Sequence, residues 1–209
     1  IAGEVAKDGE GIAGIKYISF LNIRVAHEKK GCAEKILPYL KDEKSIYNTL
    51  LVSKPGVGKT TCLRDCIRGL SDGTEDLDGM KICVVDERSE IAACHLGIPQ
   101  NDMGMRTDVL TGCSKSEGMM LMLRSMSPQI IAVDELGNKA DFQAVEQAAC
   151  SGVRILGTVH ADNVEELWEK PYLKKWMKRE IFKRFILILR SRSGEREFQV
   201  FNGKRERLC

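Results

Sequence analysis

The chain has 209 residues, 43% of them hydrophobic and 30% charged, with a formal net charge of +2. This is the composition of a soluble globular protein with a core, and it excludes the disordered and fibrous classes. Apolar runs such as 119–123 and 185–189 are five residues long, far short of the roughly 20 that a membrane-spanning helix needs.

The charge is unevenly spread. Residues 1–173 hold 20 Lys/Arg against 26 Asp/Glu, whereas residues 174–209 hold 12 against 4, giving an acidic body with a basic C-terminal segment. The eight cysteines (Cys32, Cys62, Cys66, Cys83, Cys94, Cys113, Cys150 and Cys209) include no C-x-x-C pair. That pattern fits small buried residues in a reducing compartment better than a disulfide framework or a metal site.

In chain order, the loose alternation from Ile12 to Val25 predicts one or two strands. Residues 1–30 are read as the remnant of an N-terminal domain, and 31–209 as the main domain. Cys32 to Leu40 predicts a short helix weakened at Pro38. Strands are then expected at Thr49–Ser53, Lys81–Asp86, Gln129–Asp134, Val153–Val159 and Arg184–Arg190, alternating with helices at Lys59–Leu70, Lys115–Met126, Ala140–Ser151 and Val164–Lys178. The strand cores are runs rather than alternations, as in strands buried on both faces, so the expected fold is α/β with a mainly parallel sheet flanked by helices.

The first of these strands leads into Ser53-Lys54-Pro55-Gly56-Val57-Gly58-Lys59-Thr60-Thr61. Apart from Ser53, which stands where the pattern has its first glycine, this matches the phosphate loop. Gly56 and Gly58 allow successive N–H groups to turn inward on a phosphate at the positive end of the following helix. Lys59 adds charge at the β- and γ-phosphates, and the Thr60 hydroxyl suits Mg²⁺. The strand 129–134 ends in Asp134-Glu135. Asp134 at its tip can hold the Mg²⁺ shell; Glu135, on the opposite side by strand alternation, can orient and deprotonate an attacking water. The strand 153–159 leads to His160, which can hydrogen-bond to a γ-phosphate. Together these residues predict binding of ATP with Mg²⁺.

The strand 81–86, which lies between the phosphate-loop strand and the acidic strand in sequence, together with Glu after Asp in the latter, resembles the RecA-like hydrolytic branch of phosphate-loop proteins. More closely, the chain is similar to the secretion-type ATPases of type II and type IV secretion and pilus assembly. Their acidic box is matched by Asp86-Glu87-Arg88-Ser89-Glu90, their second motif by Asp134-Glu135, and their histidine box by Thr158-Val159-His160-Ala161-Asp162-Asn163. The stretches 86–91, 97–102, 106–109 and 124–128 resemble a sporulation member of this family from endospore-forming bacteria.

The resemblance implies a RecA-like phosphate-loop ATPase, with Asp86, Glu87 and Glu90 beside the nucleotide and Glu135, Lys59 and His160 acting on it. It further implies a cytoplasmic motor of the mother cell, a homo-oligomer forming a ring of six. That motor would sit at the periphery of a membrane-embedded channel between mother cell and forespore. Such rings complete each site with a neighbour's arginine, for which Arg88, Arg106 and Arg124 are the candidates.

Two segments stay open. Lys115–Met126 reads as a helix apolar nearly all round, hence buried, with a methionine-rich binding face as the alternative. Residues 174–184 hold six cations and one acid interleaved with Trp176, Ile181 and Phe182. They can be a solvated helix face, a contact with an acidic neighbouring subunit, or a patch for acidic lipid or nucleic acid. The competing functions are a nucleic-acid translocase or remodelling ATPase and a nucleotide-gated binding module with little turnover.

Overall fold

Within each apolar strand, alternation decides which of two cores a residue enters. The computed structural model describes residues 1–9, 11–23, 28–43, 45–75, 77–191 and 193–209. Its elements run β1 (Ala2–Lys7), β2 (Ile12–Phe20), α1 (Leu37–Leu40), β3 (Thr49–Ser53), α2 (Lys59–Asp72), β4 (Ile82–Asp86), β5 (Thr107–Thr111), α3 (Lys115–Ser125), β6 (Ile130–Val133), α4 (Lys139–Cys150), β7 (Arg154–His160), α5 (Val164–Glu169), α6 (Pro171–Lys178), β8 (Arg184–Arg190) and β9 (Arg196–Asn202).

Seven strands form one sheet in the order β5-β4-β6-β7-β3-β8-β9. All neighbours are parallel except β8 and β9. On one face, Leu50, Val52, Val85, Ile131 and Val133 pack with Met119 of α3, Phe142 of α4 and Trp176 of α6. On the other, Leu51, Ile82, Val84, Ile130 and Ala132 pack with Cys62, Leu63 and Ile67 of α2. Every residue of β3, β4 and β6 is buried, which is why these strands read as apolar runs. The β1–β2 hairpin forms a separate antiparallel sheet with Ile12, Tyr17, Ile18 and Phe20 exposed; Val25, included in the strand expectation, lies outside the described residues.

The elements differ from expectation where proline and exposure intervene. The helix expected at 32–40 shrinks to Leu37–Leu40, with Pro38 in its first turn, because a proline fits only where its missing N–H has no helical partner. The helix expected at 164–178 is two helices. Lys170 adopts an extended conformation (ψ 124°) ahead of Pro171, which opens α6. The strands β5 and β9 were not expected: both lie at sheet edges, and β5, half-buried throughout, needs no apolar run. The strand lying between β3 and β6 is β7; β4 flanks β6 on its far side. Nor is α3 apolar all round, since Gly118, Met119 and Met122 are buried while Leu121 is 56% exposed.

Cys62, Cys66 and Cys83 are buried, Cys32, Cys94 and Cys113 half-buried, and Cys150 and Cys209 exposed, all as free thiols. No helix among the described residues is long and apolar enough to cross a membrane.

The basic stretch 174–184 keeps five of its six cations exposed, with Arg184 half-buried over the Tyr47 ring, and turns Trp176 and Phe182 inside. Trp176 and Phe182 are each 1% exposed; the Trp176 ring lies 4.1 Å from Phe142 and 4.7 Å from Phe182. Lys174 pairs with Glu169, while Lys175 and Arg179 pair with Glu146. Neither aromatic is therefore available to a lipid surface or to stack on a nucleic-acid base. Trp176→Ala is expected to destabilise the fold by about 3–5 kcal/mol through the cavity it leaves. Urea unfolding measures this; a loss below about 0.5 kcal/mol, as for a surface residue, would contradict the buried position.

Candidate functional site

Three adjacent strands, β6, β7 and β3, end side by side at the carboxyl edge of the sheet, where open α/β sheets place their ligands. From β3 the chain turns through Gly56 (φ 77°) and Gly58 (φ 103°) into α2. These left-handed conformations are the ones for which the sequence supplies glycine. Ser53, at the first-glycine position, is fully buried, and its hydroxyl donates to the Lys54 carbonyl at 2.8 Å. Lys54 itself reaches Asp162 at 3.1 Å, tying the loop to the segment after β7.

The acidic tip of β6 is closely bonded to both neighbours. The Thr60 hydroxyl donates to Asp134 Oδ2 at 2.6 Å, and the Thr158 hydroxyl donates to Asp134 Oδ1. The Glu135 N–H is shared between Asp134 Oδ1 at 3.0 Å and Thr158 Oγ1 at 2.8 Å. Strand alternation is not what turns Glu135 away from Asp134. β6 ends at Val133, and Glu135 has a left-handed backbone (φ 52°), a strained conformation for this residue that the Thr158 and Asp134 bonds hold in place.

The turned Glu135 carboxylate joins a chain of charges. His160 Nε2 lies 2.9 Å from Glu135 Oε1, so Nε2 carries the proton toward the carboxylate and Nδ1 can accept from the Lys59 ammonium, 3.1 Å away. Arg88 Nη1 donates to Glu135 Oε2 at 3.1 Å. The hydrogen bond from His160, then the charges of Lys59 and Arg88, hold the Glu135 carboxyl below its usual range. Burial lowers the pKa of Lys59, against the pull of Asp134, Glu135 and Glu90.

The acidic box sits beside this chain. Val85, Asp86, Glu87, Arg88, Glu90 and Lys115 line one cleft with Asp134 and Glu135. Within it, the buried Asp86 is occupied by the loop itself, its oxygens accepting from the N–H groups of Glu90, Ile91 and Ala92. Arg64 of α2 donates to the carbonyls of Glu90 and Ile91 and so fixes the loop to the helix. Glu87 pairs with Lys115 at 2.5 Å.

Of the arginine candidates, Arg88 is thus engaged with Glu135 of its own chain. Arg106 donates to the Ser71 carbonyl at 3.2 Å, at the end of α2 remote from the phosphate loop. Arg124 is exposed in the last turn of α3.

The donors at the tip are hard oxygens, a hydroxyl and a carboxylate in contact, which suits Mg²⁺ better than a softer ion. No group of three or more His, Cys, Asp or Glu able to hold a metal occurs among the described residues. Thr60 and Asp134 would hold Mg²⁺ with waters and phosphate oxygens completing the shell. The residue that motif reading assigned no role is Thr158. Its signal was present, since it lies two positions before His160 and so shares a strand face with it.

The Sporulation stage III, protein AA family model matches residues 1–208. Over 202 residues the chain is 40% identical to stage III sporulation protein AA of Bacillus subtilis, covering 97% of this chain and 66% of that relative. Among solved structures, it is similar to the ATPase DotB of Legionella pneumophila with TM-score 0.62 and 16% identity, covering 84% of this chain and 51% of that one. It is also similar to the VirB11 ATPase of the Brucella suis type IV secretion system in complex with sulphate, with TM-score 0.58 and 14% identity, covering 82% and 51%. The fold is that of the RecA-like secretion ATPases, and the chain spans about half the length of these structures.

Thr158→Val removes one hydroxyl that serves both Asp134 and the Glu135 N–H at unchanged side-chain shape. The expected cost is about 1–3 kcal/mol, that of leaving buried polar groups unsatisfied. Urea unfolding reads it, and an unchanged midpoint would show that these bonds do not hold the tip.

Proposed function

The chain belongs to the Sporulation stage III, protein AA family, and on that premise we propose that it is an ATP-hydrolysing motor subunit. The observation that carries this is the contact of Thr60 with Asp134 at 2.6 Å, with Glu135 held in reach by Thr158. The phosphate loop and the acidic strand, 74 residues apart in sequence, meet at one point, as binding a Mg²⁺-polyphosphate requires.

In the proposed mechanism the loop amides and Lys59 bind the β- and γ-phosphates. Mg²⁺, when bound, neutralises phosphate charge there. Glu135 orients the water that attacks the γ-phosphate. Its carboxylate is also placed to accept the proton that this water loses. His160, between Lys59 and Glu135, exchanges partners when a γ-phosphate draws Lys59 away, and so reports the phosphate to Glu135. Arg88 holds Glu135 from the other side, while Asp86, Glu87 and Glu90 shape the wall of the cleft. Hydrolysis at the interface of a six-membered ring, each site completed by a neighbour's arginine, would drive a cytoplasmic motor at the base of a sporulation membrane channel. The family membership, the similarity in fold to the ATPases DotB and VirB11, and the B. subtilis relative's name support this reading.

Glu135→Gln should bind ATP but turn it over about 10²- to 10⁴-fold more slowly than the wild type. Equal and negligible turnover in both proteins would leave a nucleotide-gated switch in place of a motor. A second expectation follows from Lys59, whose pKa burial holds below the usual 10.5 and which phosphate charge would raise again. ATP affinity should be level at neutral pH and fall as pH rises through the lowered pKa toward 10.5. The fall should vanish in Lys59→Arg, whose guanidinium stays charged. Calorimetric titrations across this range test it, and an identical decline in both proteins would remove Lys59 as the cause.

A further inference from the structure

Arg196 opens β9, the antiparallel strand at the sheet edge, and no motif draws attention to it. Its guanidinium nevertheless lies against the phosphate loop. A Cβ built on Gly58 would stand 2.4 Å from Nη2 and 2.9 Å from Nε of Arg196, so the missing side chain of Gly58 is what lets the guanidinium approach the loop backbone.

By itself this is a poor place for a cation. Gly58 is the N-cap of α2, and a helix N-terminus carries about half a positive charge. The next residue is the buried Lys59. Arg196 Nε is buried without a hydrogen-bond partner, although nearly all buried donors in folded proteins have one. An anion lying between the helix end, Lys59 and Arg196 would relieve all three penalties at once.

We infer that Arg196 is a phosphate-binding residue that contacts the α- and β-phosphates of the nucleotide from the β9 side. The inference rests on the reading of residues 53–61 as the phosphate loop of an ATP site. The assignment to the inner phosphates follows from sheet order. Asp134 and Glu135, which follow β6, and His160, which ends β7, serve the γ-phosphate from one flank of β3, whereas β8 and β9 lie on the other flank. A guanidinium reaching the loop from that second flank meets the end of the polyphosphate nearer the nucleoside, and its planar fork suits two phosphate oxygens. Arg196 therefore contributes alike to diphosphate and triphosphate binding.

The test is calorimetric binding of ADP, and of ATP in a Glu135→Gln background, to the full chain carrying Arg196→Ala, Arg196→Lys or Arg190→Ala. Arg190 is the cross-strand partner of Arg196 and controls for general loss of charge; thermal unfolding checks that each variant is folded. Arg196→Ala should weaken ADP and ATP by the same factor, about tenfold or more, the typical worth of a charge-assisted hydrogen bond. Arg196→Lys should recover part of the loss, and Arg190→Ala should stay within about threefold of the wild type. ADP affinity within about twofold of wild type in Arg196→Ala, or a loss confined to ATP, overturns the assignment. Lys59→Ala separates the two failures. If it abolishes ADP binding while Arg196→Ala does not weaken it, only the Arg196 role is lost. If ADP binds equally well to both, the phosphate-loop reading falls with it.

Discussion

The Asp134 carboxylate is the joint on which the site depends. It takes the Thr60 hydroxyl from the start of α2 and the Thr158 hydroxyl from β7, and so fixes three elements at the tip of β6. One of these bonds spans the two halves of the domain in sequence, and the other reaches the strand that lies between β6 and β3. Hydrogen bonds to a charged group are worth about 1.5–3 kcal/mol each. Their larger effect here is geometric, since they hold Glu135 in a left-handed conformation that a residue with a side chain rarely adopts unaided. Catalytic groups need such support, because a side chain positioned by strain drifts once its partners are lost.

Around this joint the polar groups form a chain of contacts with the Glu135 carboxylate held between Arg88 and His160. Arg88 faces Glu135, Glu135 faces His160, and His160 faces Lys59. Each member is satisfied by its neighbour, so the burial of Lys59 and the partial burial of Glu135 cost less than isolated charges would. The loop at 86–92 adds a second layer. Asp86 gathers three backbone N–H groups and Arg64 two carbonyls, so the acidic wall is held by its own backbone from both sides.

The parallel sheet was legible in the sequence because strands buried on both faces carry unbroken apolar runs, as residues 50–52 and 185–189 do inside Thr49–Ser53 and Arg184–Arg190, which match their expected bounds. Edge strands escape that demand. Every residue of Thr107–Thr111 and five of the seven in Arg196–Asn202 stay partly or fully exposed, and their composition reads as coil. The basic stretch left three readings open for a related reason. Charge is visible in a sequence, but whether Trp176 turns inward depends on Phe142 of a distant helix. In the site, the residue types and spacings of the phosphate loop and Asp134-Glu135 announced themselves. The turn of Glu135 and the two-sided service of Thr158 depend on backbone angles and cross-strand neighbours that no local pattern encodes.

α2 is a strut with the phosphate loop at one end and Arg106 fastened to Ser71 at the other. Its 14 residues make a stiff rod about 21 Å long. A swing of about 5° pivoted at the loop would carry the far end sideways by roughly 2 Å over that length. Because Arg106 immediately precedes β5, the outermost strand, such a swing would be felt first at the opposite margin of the domain, where a neighbouring body could be pushed without itself touching the nucleotide.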